Sequence, residues 1–180
     1  LRNPFGTWAA WIIAREYPYE SMGIEDPRIV KIGSTFYLTY VAHDGKNALF
    51  AYAESQDLKT FKKGGIISPR LTYDVAAKIF RKTPLKDKYF MFEAYYEEFT
   101  GKDVLLWEKD AMLFPRKLNG QFLLIHRILP DIHLARFQKF QELQKASFWR
   151  DHLKNLSRYV SRLNPNRMNS FGEKNWVGKK

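Results

Sequence analysis

Short runs of alternating apolar and polar residues, bounded by turn-forming residues, dominate the first half of the chain. From residue 29 to residue 69 they predict four antiparallel strands, with the tightest turn at Gly33-Ser34. Four short strands within about 45 residues have the size of one blade of a β-propeller. The pattern therefore predicts an all-β unit built from a small antiparallel sheet.

The same order of strands and turns recurs in the second half of the chain. Residues 117–126 align with residues 31–40, and residues 132–137 align with residues 48–53. A repeat that preserves both strand order and turn position argues for blades stacked around an axis. We therefore predict two recognisable blades.

The segments outside the repeats follow other patterns. Residues 73–82 have helical spacing and end before Pro84, residues 89–96 are a dense aromatic run typical of a buried strand, and residues 140–156 again have helical character. After residue 156 the alternation stops and the composition becomes basic. We expect a helical insertion between the blades and a disordered tail at the C-terminal end.

A charged string lies directly ahead of the first repeat, where Glu25, Asp26, Pro27 and Arg28 follow one another. On local sequence alone, Asp26-Pro27 is typical of a turn, and Glu25 and Arg28 of a surface ion pair. The alternative is a rigidly held carboxylate at the start of a strand, with a guanidinium two residues away. Such a carboxylate is suited to acid catalysis.

The composition limits the classes of function. The chain has 180 residues, no cysteine and a formal net charge of +11, which favours an anionic partner such as a phosphate-bearing substrate. There is neither a disulfide framework nor thiolate chemistry, and no apolar run approaches the roughly eighteen residues of a membrane span. The histidines lack metal-ligand spacing, and basic and aromatic residues do not interleave as in a nucleic-acid module. We expect no metal, no specific nucleic acid and no membrane partner.

Three motifs, in order along the chain, resemble the signatures of glycoside hydrolase family 130, which comprises β-mannoside phosphorylases and related β-mannosidases. They are residues 23–29 with Tyr19-Glu20 ahead of them, residues 109–117, and Ile125-His126-Arg127. One such motif would be moderate evidence, whereas three in order indicate the family.

The resemblance implies a five-bladed β-propeller with a pocket at one end of its axis, and an inverting reaction on a β-mannoside. It implies that Asp26 is the proton donor, acting through a substrate hydroxyl in the phosphorylases, while inorganic phosphate attacks the anomeric carbon. Lys109 and Arg127 fall where phosphorylases place phosphate-binding cations, and Asp110 falls where a sugar hydroxyl is held. The co-substrate is then inorganic phosphate, the product is mannose 1-phosphate, and no cofactor is implied.

Three neighbouring residues receive supporting roles. His126, beside Arg127, is assigned to phosphate as a further donor, although a histidine inside a strand is more often a buried structural group. Glu25 and Arg28 are assigned to the substrate side of the site, with Arg28 orienting a carboxylate.

The resemblance covers only part of a propeller, because five blades of this size need well over ~200 residues. We therefore expect a fragment or truncated product with an incomplete set of blades. The predicted divisions are a partial β-propeller catalytic domain over residues 1–156 (blade 19–69, insertion 70–108, blade 109–147) and a basic, disordered tail over residues 157–180.

The preferred function is phosphorolysis of β-mannosides, since Lys109 and Arg127 are both cationic. The alternatives are a β-mannoside hydrolase of the same family and an inactive remnant whose basic surface binds polyanions without specificity. A β-mannoside oligosaccharide and phosphate are the expected partners, and a homo-oligomer is left open. Because the sequence has no visible signal peptide, we expect a cytoplasmic protein.

Overall fold

The computed structural model of the protein describes residues 13–83, 103–128 and 131–160. The predicted strand at residues 89–96 lies outside these ranges, as do the first twelve residues and the chain beyond residue 160.

Two antiparallel sheets, each with its strands in sequence order, form the framework. The first contains β1 (Gly23–Ile32), β2 (Thr35–His43), β3 (Ala48–Ser55) and β4 (Lys62–Ile66), and the second contains β5 (Met112–Leu113), β6 (Phe122–Ile128) and β7 (Asp131–Phe137). In the described part of the chain three α-helices accompany them: α1 (Tyr73–Phe80), α2 (Phe140–Leu143) and α3 (Ala146–Val160). A short 3-10 helix covers Pro18–Glu20, ahead of β1. The described chain is thus mostly β, and the strands predicted for the two repeats are confirmed.

Both repeats open with a hairpin that turns over two residues. The turns are Gly33-Ser34 between β1 and β2, and Asn119-Gly120 ahead of β6. Asn119 and Gly120 both have positive φ, at 51° and 76°, which defines a type I′ turn with a twist that suits antiparallel strands. Asparagine and glycine adopt this conformation at low cost. The repeat seen in the sequence therefore includes the turn residues that each hairpin requires.

The central strands β2 and β3 are buried on both faces, because successive side chains of a strand point in opposite directions. Tyr40 and Ile66 belong to a cluster on one face of the first sheet. Val41 belongs to a larger cluster on the other face, which it shares with Leu124 of β6 and Trp149 of α3. The two sheets and the helices are therefore held by one continuous apolar core.

An aromatic contact joins the two sheets through the short helix α2. The rings of Tyr52 and Phe140 stack with centroids 3.9 Å apart. Phe140 also lies 5.3 Å from Phe122, which in turn stacks on Phe137. Aromatic pairs at such distances add to the stabilisation from burial alone.

The same ring of Tyr52 restricts a glycine in β4. A Cβ atom at Gly64 would lie 2.0 Å from Cζ and 2.3 Å from Cε1 of Tyr52, and Phe140 prevents that ring from moving aside. We expect Gly64→Ala to lower the free energy of unfolding by about 1–3 kcal/mol, the usual cost of overpacking. Gly23→Ala is the control, because its Cβ would meet nothing within 4 Å. Urea unfolding measures both, and equal losses would contradict the expected clash.

Helix α3 changes one predicted boundary. It runs to Val160, so the division placed after residue 156 falls inside a helix. Trp149, Leu153 and Leu156 are buried and recur at helical spacing, which packs one face of α3 on the core. None of the helices in the described part of the chain combines the length and hydrophobicity that crossing a membrane requires.

Candidate active site

The charged string ahead of the first repeat forms a β-bulge in β1. Glu25 and Arg28 pair with the residues on either side of Tyr40 in β2, so Asp26 and Pro27 together oppose one residue. The φ of Asp26 is 49°, a left-handed conformation that aspartate tolerates better than most residues. Bulges of this kind re-aim side chains, and the side chain of Asp26 is exposed.

The carboxylate of Asp110 brings one arginine from each sheet together. Its Oδ2 lies 2.6 Å from Nη2 of Arg127 on β6, and its Oδ1 lies 3.5 Å from Nη2 of Arg28 on β1. Each of the three side chains is 39% exposed, so this group lies open to a ligand. Ion pairs as exposed as these contribute little to folding, and their arrangement is better explained by binding.

Lys109 adds a third cation to the group. Its Nζ lies 3.7 Å from Oε2 of Glu25 and 5.9 Å from the ring centroid of Trp107. Among the described residues, Glu25 therefore pairs with Lys109 and Arg28 pairs with Asp110. The ion pair between Glu25 and Arg28 that local sequence predicts is wrong. Each of the two side chains pairs instead with a residue of the second repeat.

Asp26 differs from the other two acids of the group. Its carboxylate makes no hydrogen bond or ion pair within the described ranges, while Glu25 and Asp110 are both engaged by cations. Only its backbone carbonyl is used, as an acceptor for Nη1 of Arg28 at 3.4 Å. The exposed carboxylate of Asp26 therefore lies between two residues, Glu25 and Arg28, whose own side chains contact the second repeat. It is open to a ligand, as a proton-transfer group must be.

Thr39 is a buried link between the two halves of this group. Its hydroxyl donates to the carbonyl of Ala111 at 3.2 Å and lies 3.4 Å from the carbonyl of Arg28. The contact joins the bulged strand to the segment that carries Asp110. Nothing in the sequence singles out Thr39, since threonine is common at any strand position.

His126 does not join the group. It lies on the opposite face of β6 from Arg127, fully buried, where Nδ1 is hydrogen-bonded to Oε1 of Glu108 and Nε2 lies 2.9 Å from Nε2 of His152. Burial lowers the pKa of His126 to about 3. Because both ring nitrogens have partners and the ring has no exposed surface, we place His126 outside the phosphate site, contrary to its assignment from sequence.

A buried glutamate precedes the first strand of each repeat, and sequence reasoning missed the role of both. Glu20 accepts hydrogen bonds from Tyr40 at 2.8 Å and Lys63 at 2.6 Å, and from the backbone N–H groups of Glu16 and Tyr17. Burial alone would raise the pKa of Glu20, but these hydrogen bonds outweigh it and lower the pKa. Glu20 is therefore an ionised carboxylate with a buried lysine partner.

Glu108 is the counterpart in the second repeat, but its surroundings differ. It contacts His126, which occupies the strand position of Tyr40, and its Oε2 has no hydrogen-bond partner among the described residues. Burial without a lysine raises the pKa of Glu108 well above its usual range. Glu108, His126 and His152 form a buried chain of contacts. Within the described ranges no three His, Cys, Asp or Glu side chains are grouped so that they could hold a metal ion.

Taken together, an exposed carboxylate, two paired acids and three cations define a site suited to polar, phosphate-bearing or carbohydrate ligands. A sequence profile of glycoside hydrolase family 130, described as beta-1,4-mannooligosaccharide phosphorylase, matches residues 5–170. The chain belongs to this family.

Two curated relatives come from Thermoanaerobacter sp. (strain X514). The chain is 29% identical over 129 residues to a beta-1,2-mannobiose phosphorylase and 25% identical over 127 residues to a 1,2-beta-oligomannan phosphorylase. Each alignment covers 69% of this chain but only 30% and 31% of the two relatives. The chain therefore spans about three tenths of their length.

Solved structures are similar at lower identity. One is a beta-1,2-mannobiose phosphorylase from Listeria innocua in complex with beta-1,2-mannobiose, at 21% identity and a TM-score of 0.43, covering 68% of this chain and 26% of that one. Another is described as a putative glycoside hydrolase from Bacteroides ovatus, at 17% identity and a TM-score of 0.45, covering 72% of this chain and 33% of that one.

Proposed function

We propose that this chain carries the proton donor and part of the phosphate site of an inverting β-mannoside phosphorylase, on blades of a five-bladed β-propeller. The family and the named relatives support the reaction class. The proposal rests on the unpartnered, exposed carboxylate of Asp26, whose neighbours Glu25 and Arg28 contact Lys109 and Asp110 of the second repeat. Asp110 in turn contacts Arg127.

In the proposed reaction, a phosphate oxygen forms a bond to the anomeric carbon as the bond from that carbon to the glycosidic oxygen breaks. Asp26 supplies the proton that the departing oxygen needs, through a hydroxyl of the substrate. Attack on the face opposite the leaving group inverts the configuration, so a β-mannoside yields α-mannose 1-phosphate. Arg127 and Lys109 hold the phosphate, the arginine through its planar fork and the lysine as a point charge.

The cations also favour phosphorolysis over hydrolysis. An inverting hydrolase needs a second carboxylate that acts as a base on water. The two other acids of the group, Glu25 and Asp110, are already engaged by cations, so neither is free to position a water molecule. Phosphate needs no such base, because it is itself the nucleophile.

The test is to incubate the protein with β-1,2- or β-1,4-mannobiose, with and without inorganic phosphate. Phosphorolysis predicts mannose 1-phosphate in amounts that rise with phosphate concentration. Free mannose formed equally well without phosphate would instead identify a hydrolase. Absence of both products would overturn the catalytic proposal for this chain.

A second candidate is the binding of polyanions, which a separate basic groove favours. A cavity of about 490 Å³ between α1 and α3 is lined by Val75, Lys78, Ile79, Lys82, Thr83, Arg150 and Lys154. Lys78 pairs with Asp74 at 2.7 Å, whereas Lys82, Arg150 and Lys154 have no acidic partner among the described residues. Salt-sensitive binding to unrelated nucleic acids that falls in the double variant Lys82→Gln/Lys154→Gln would support this function.

A further inference from the structure

The segment that carries Lys109 and Asp110 is irregular. It runs from the isolated bridge at Leu105 to the start of β5 and belongs to no strand. The N–H groups of Leu106 and Glu108 donate to the backbone carbonyls of Leu71 and Ala48 in the first half of the chain. The N–H groups of Leu105 and Trp107 donate to side chains of the same half, and the carbonyl of Ala111 accepts from Thr39. A regular ladder therefore does not fix Asp110, and other contacts must do so.

The side chain of Glu108 supplies one such contact. It bonds to His126 in the core. Arg127, the residue after His126, and Asp110, two residues after Glu108, form an ion pair at the surface. His126 points inward and Arg127 outward because they are neighbours on β6. The buried Glu108–His126 bond thus lies behind the 2.6 Å contact between Asp110 and Arg127.

Helix α3 completes the buried chain. Nε2 of His152 lies 2.9 Å from Nε2 of His126, and the ring of Trp149 packs edge-on against His126 with centroids 5.3 Å apart. The ring of His133 on β7 lies 5.6 Å from that of His126. His126 is therefore restrained from three sides, by the irregular segment, by α3 and by its own sheet.

We propose that Glu108, His126 and His152 are positioning residues of the candidate site, whose buried hydrogen-bonded chain holds Asp110 and Arg127 in the arrangement that receives phosphate. This inference rests on the proposed function for its ligand. The three side chains themselves touch no ligand, since Glu108 and His126 are fully buried and His152 is 8% exposed.

The chain is best satisfied as three neutral groups. A protonated Glu108 donates to Nδ1 of His126, and Nε2–H of His126 donates to His152. Burial favours this state, because it raises the pKa of Glu108 and lowers that of His126 to about 3 and that of His152 to about 2. A neutral chain places no negative charge behind Arg127, so the cation keeps its attraction for phosphate.

The test compares Glu108→Gln with Glu108→Leu. The glutamine amide N–H can replace the carboxyl O–H as donor to His126, while leucine fills similar space without a donor. We expect Glu108→Leu to weaken the affinity for inorganic phosphate by about 10-fold or more, a loss typical of removing a residue that orients binding groups. Glu108→Gln should keep the affinity within about 3-fold of wild type. Isothermal titration with phosphate measures the affinity.

A second measurement reports on position directly. We expect the contact with Asp110 to slow hydrogen exchange of the Arg127 guanidinium, and nitrogen-15 NMR measures that exchange. Slow exchange should be found in wild type and in Glu108→Gln. In Glu108→Leu the exchange should be fast. The control is Tyr40→Phe, which breaks the matching buried contact to Glu20 in the first repeat and should leave both readouts unchanged.

Unchanged Arg127 exchange in folded Glu108→Leu would overturn the positioning role. Loss of phosphate affinity in Tyr40→Phe as large as in Glu108→Leu would also overturn it, by showing a general effect of stability. If wild type binds no phosphate, the proposed function fails on that point, while the Arg127 measurement still decides the positioning role.

Discussion

Replacing Asp26 with asparagine is expected to lower the rate of β-1,2-mannobiose phosphorolysis by about 10²–10⁴-fold, the usual contribution of a general acid. Asparagine keeps the shape of the side chain and tolerates the left-handed φ of 49° as well as aspartate does. The variant therefore removes the proton without disturbing the bulge. Steady-state rates at saturating phosphate measure the loss.

The leaving group separates acid catalysis from binding at Asp26. The dinitrophenolate ion leaves a dinitrophenyl β-mannoside without being protonated. We therefore expect Asp26→Asn to lose far less activity on this substrate than on mannobiose. Asp151→Asn, an exposed carboxylate change on α3 away from the site, should leave both rates unchanged. Equal losses on the two substrates would contradict the assignment of Asp26 as proton donor.

The second large effect concerns the two buried glutamates, for which the same substitution should have different results. Glu20→Gln is expected to lower the free energy of unfolding by about 3–5 kcal/mol at pH 7, the cost of leaving a buried charge uncompensated. The charge left behind is that of Lys63, whose side chain is 2% exposed. Its remaining acidic partner among the described residues is the exposed carboxylate of Glu16, at 3.9 Å. Glu108→Gln leaves no such charge, because its neighbours His126 and His152 are neutral and the amide can replace the carboxyl as donor.

The pH dependence of the two variants should have opposite signs. The pKa of Glu20 is lowered on folding. The Glu20 carboxylate therefore stabilises the fold above the unfolded pKa of about 4.5, and this stabilisation is lost as the pH falls. The difference in unfolding free energy between wild type and Glu20→Gln should shrink in acid. The pKa of Glu108 is raised, so its contribution is full below about 4.5 and declines as the pH rises. Glu108→Gln should therefore gain on wild type by up to about 1.4 kcal/mol per pH unit above that value.

Urea unfolding of wild type and both variants between pH 4 and pH 8 checks this pair of predictions. The groups that face each carboxyl stay the same across the comparison: Lys63, Tyr40 and Glu16 for Glu20, and the histidines for Glu108. A Glu108→Gln deficit that grows with pH would contradict a neutral Glu108 and indicate an ion pair with His126.

The parts of this fold that follow from local rules could be predicted from sequence. Alternation and turn residues placed β2, β3, β6 and β7, and the turn at Asn119-Gly120 revealed the repeat. The start of β1 was missed, because the bulge at Asp26 and Pro27 interrupts the strand pattern, and residues 23–25 are identified as strand by their pairing with β2. The end of α3 was missed because the apolar spacing that predicts the helix stops at Leu156, whereas the backbone stays helical to Val160.

The site was predictable only in part, because contacts between residues distant in sequence decide its geometry. The motifs placed Glu25, Asp26, Asp110 and Arg127 near one another, but which acid pairs with which cation depends on contacts between the repeats. His126 was assigned to phosphate together with Arg127, although alternation along β6 puts the two side chains on opposite faces. The partner that explains its burial, Glu108, precedes it by 18 residues, a separation that no local period encodes.

Titration of inorganic phosphate into matched charge variants tests whether Lys109 and Arg127 form a phosphate site. Lys109→Gln/Arg127→Gln removes two cations from the site, while Lys82→Gln/Lys154→Gln removes two from the groove between α1 and α3, so both lose the same net charge. We predict saturable binding in wild type and in the groove variant, and its loss in the site variant. Equal binding in the two variants would contradict the claim.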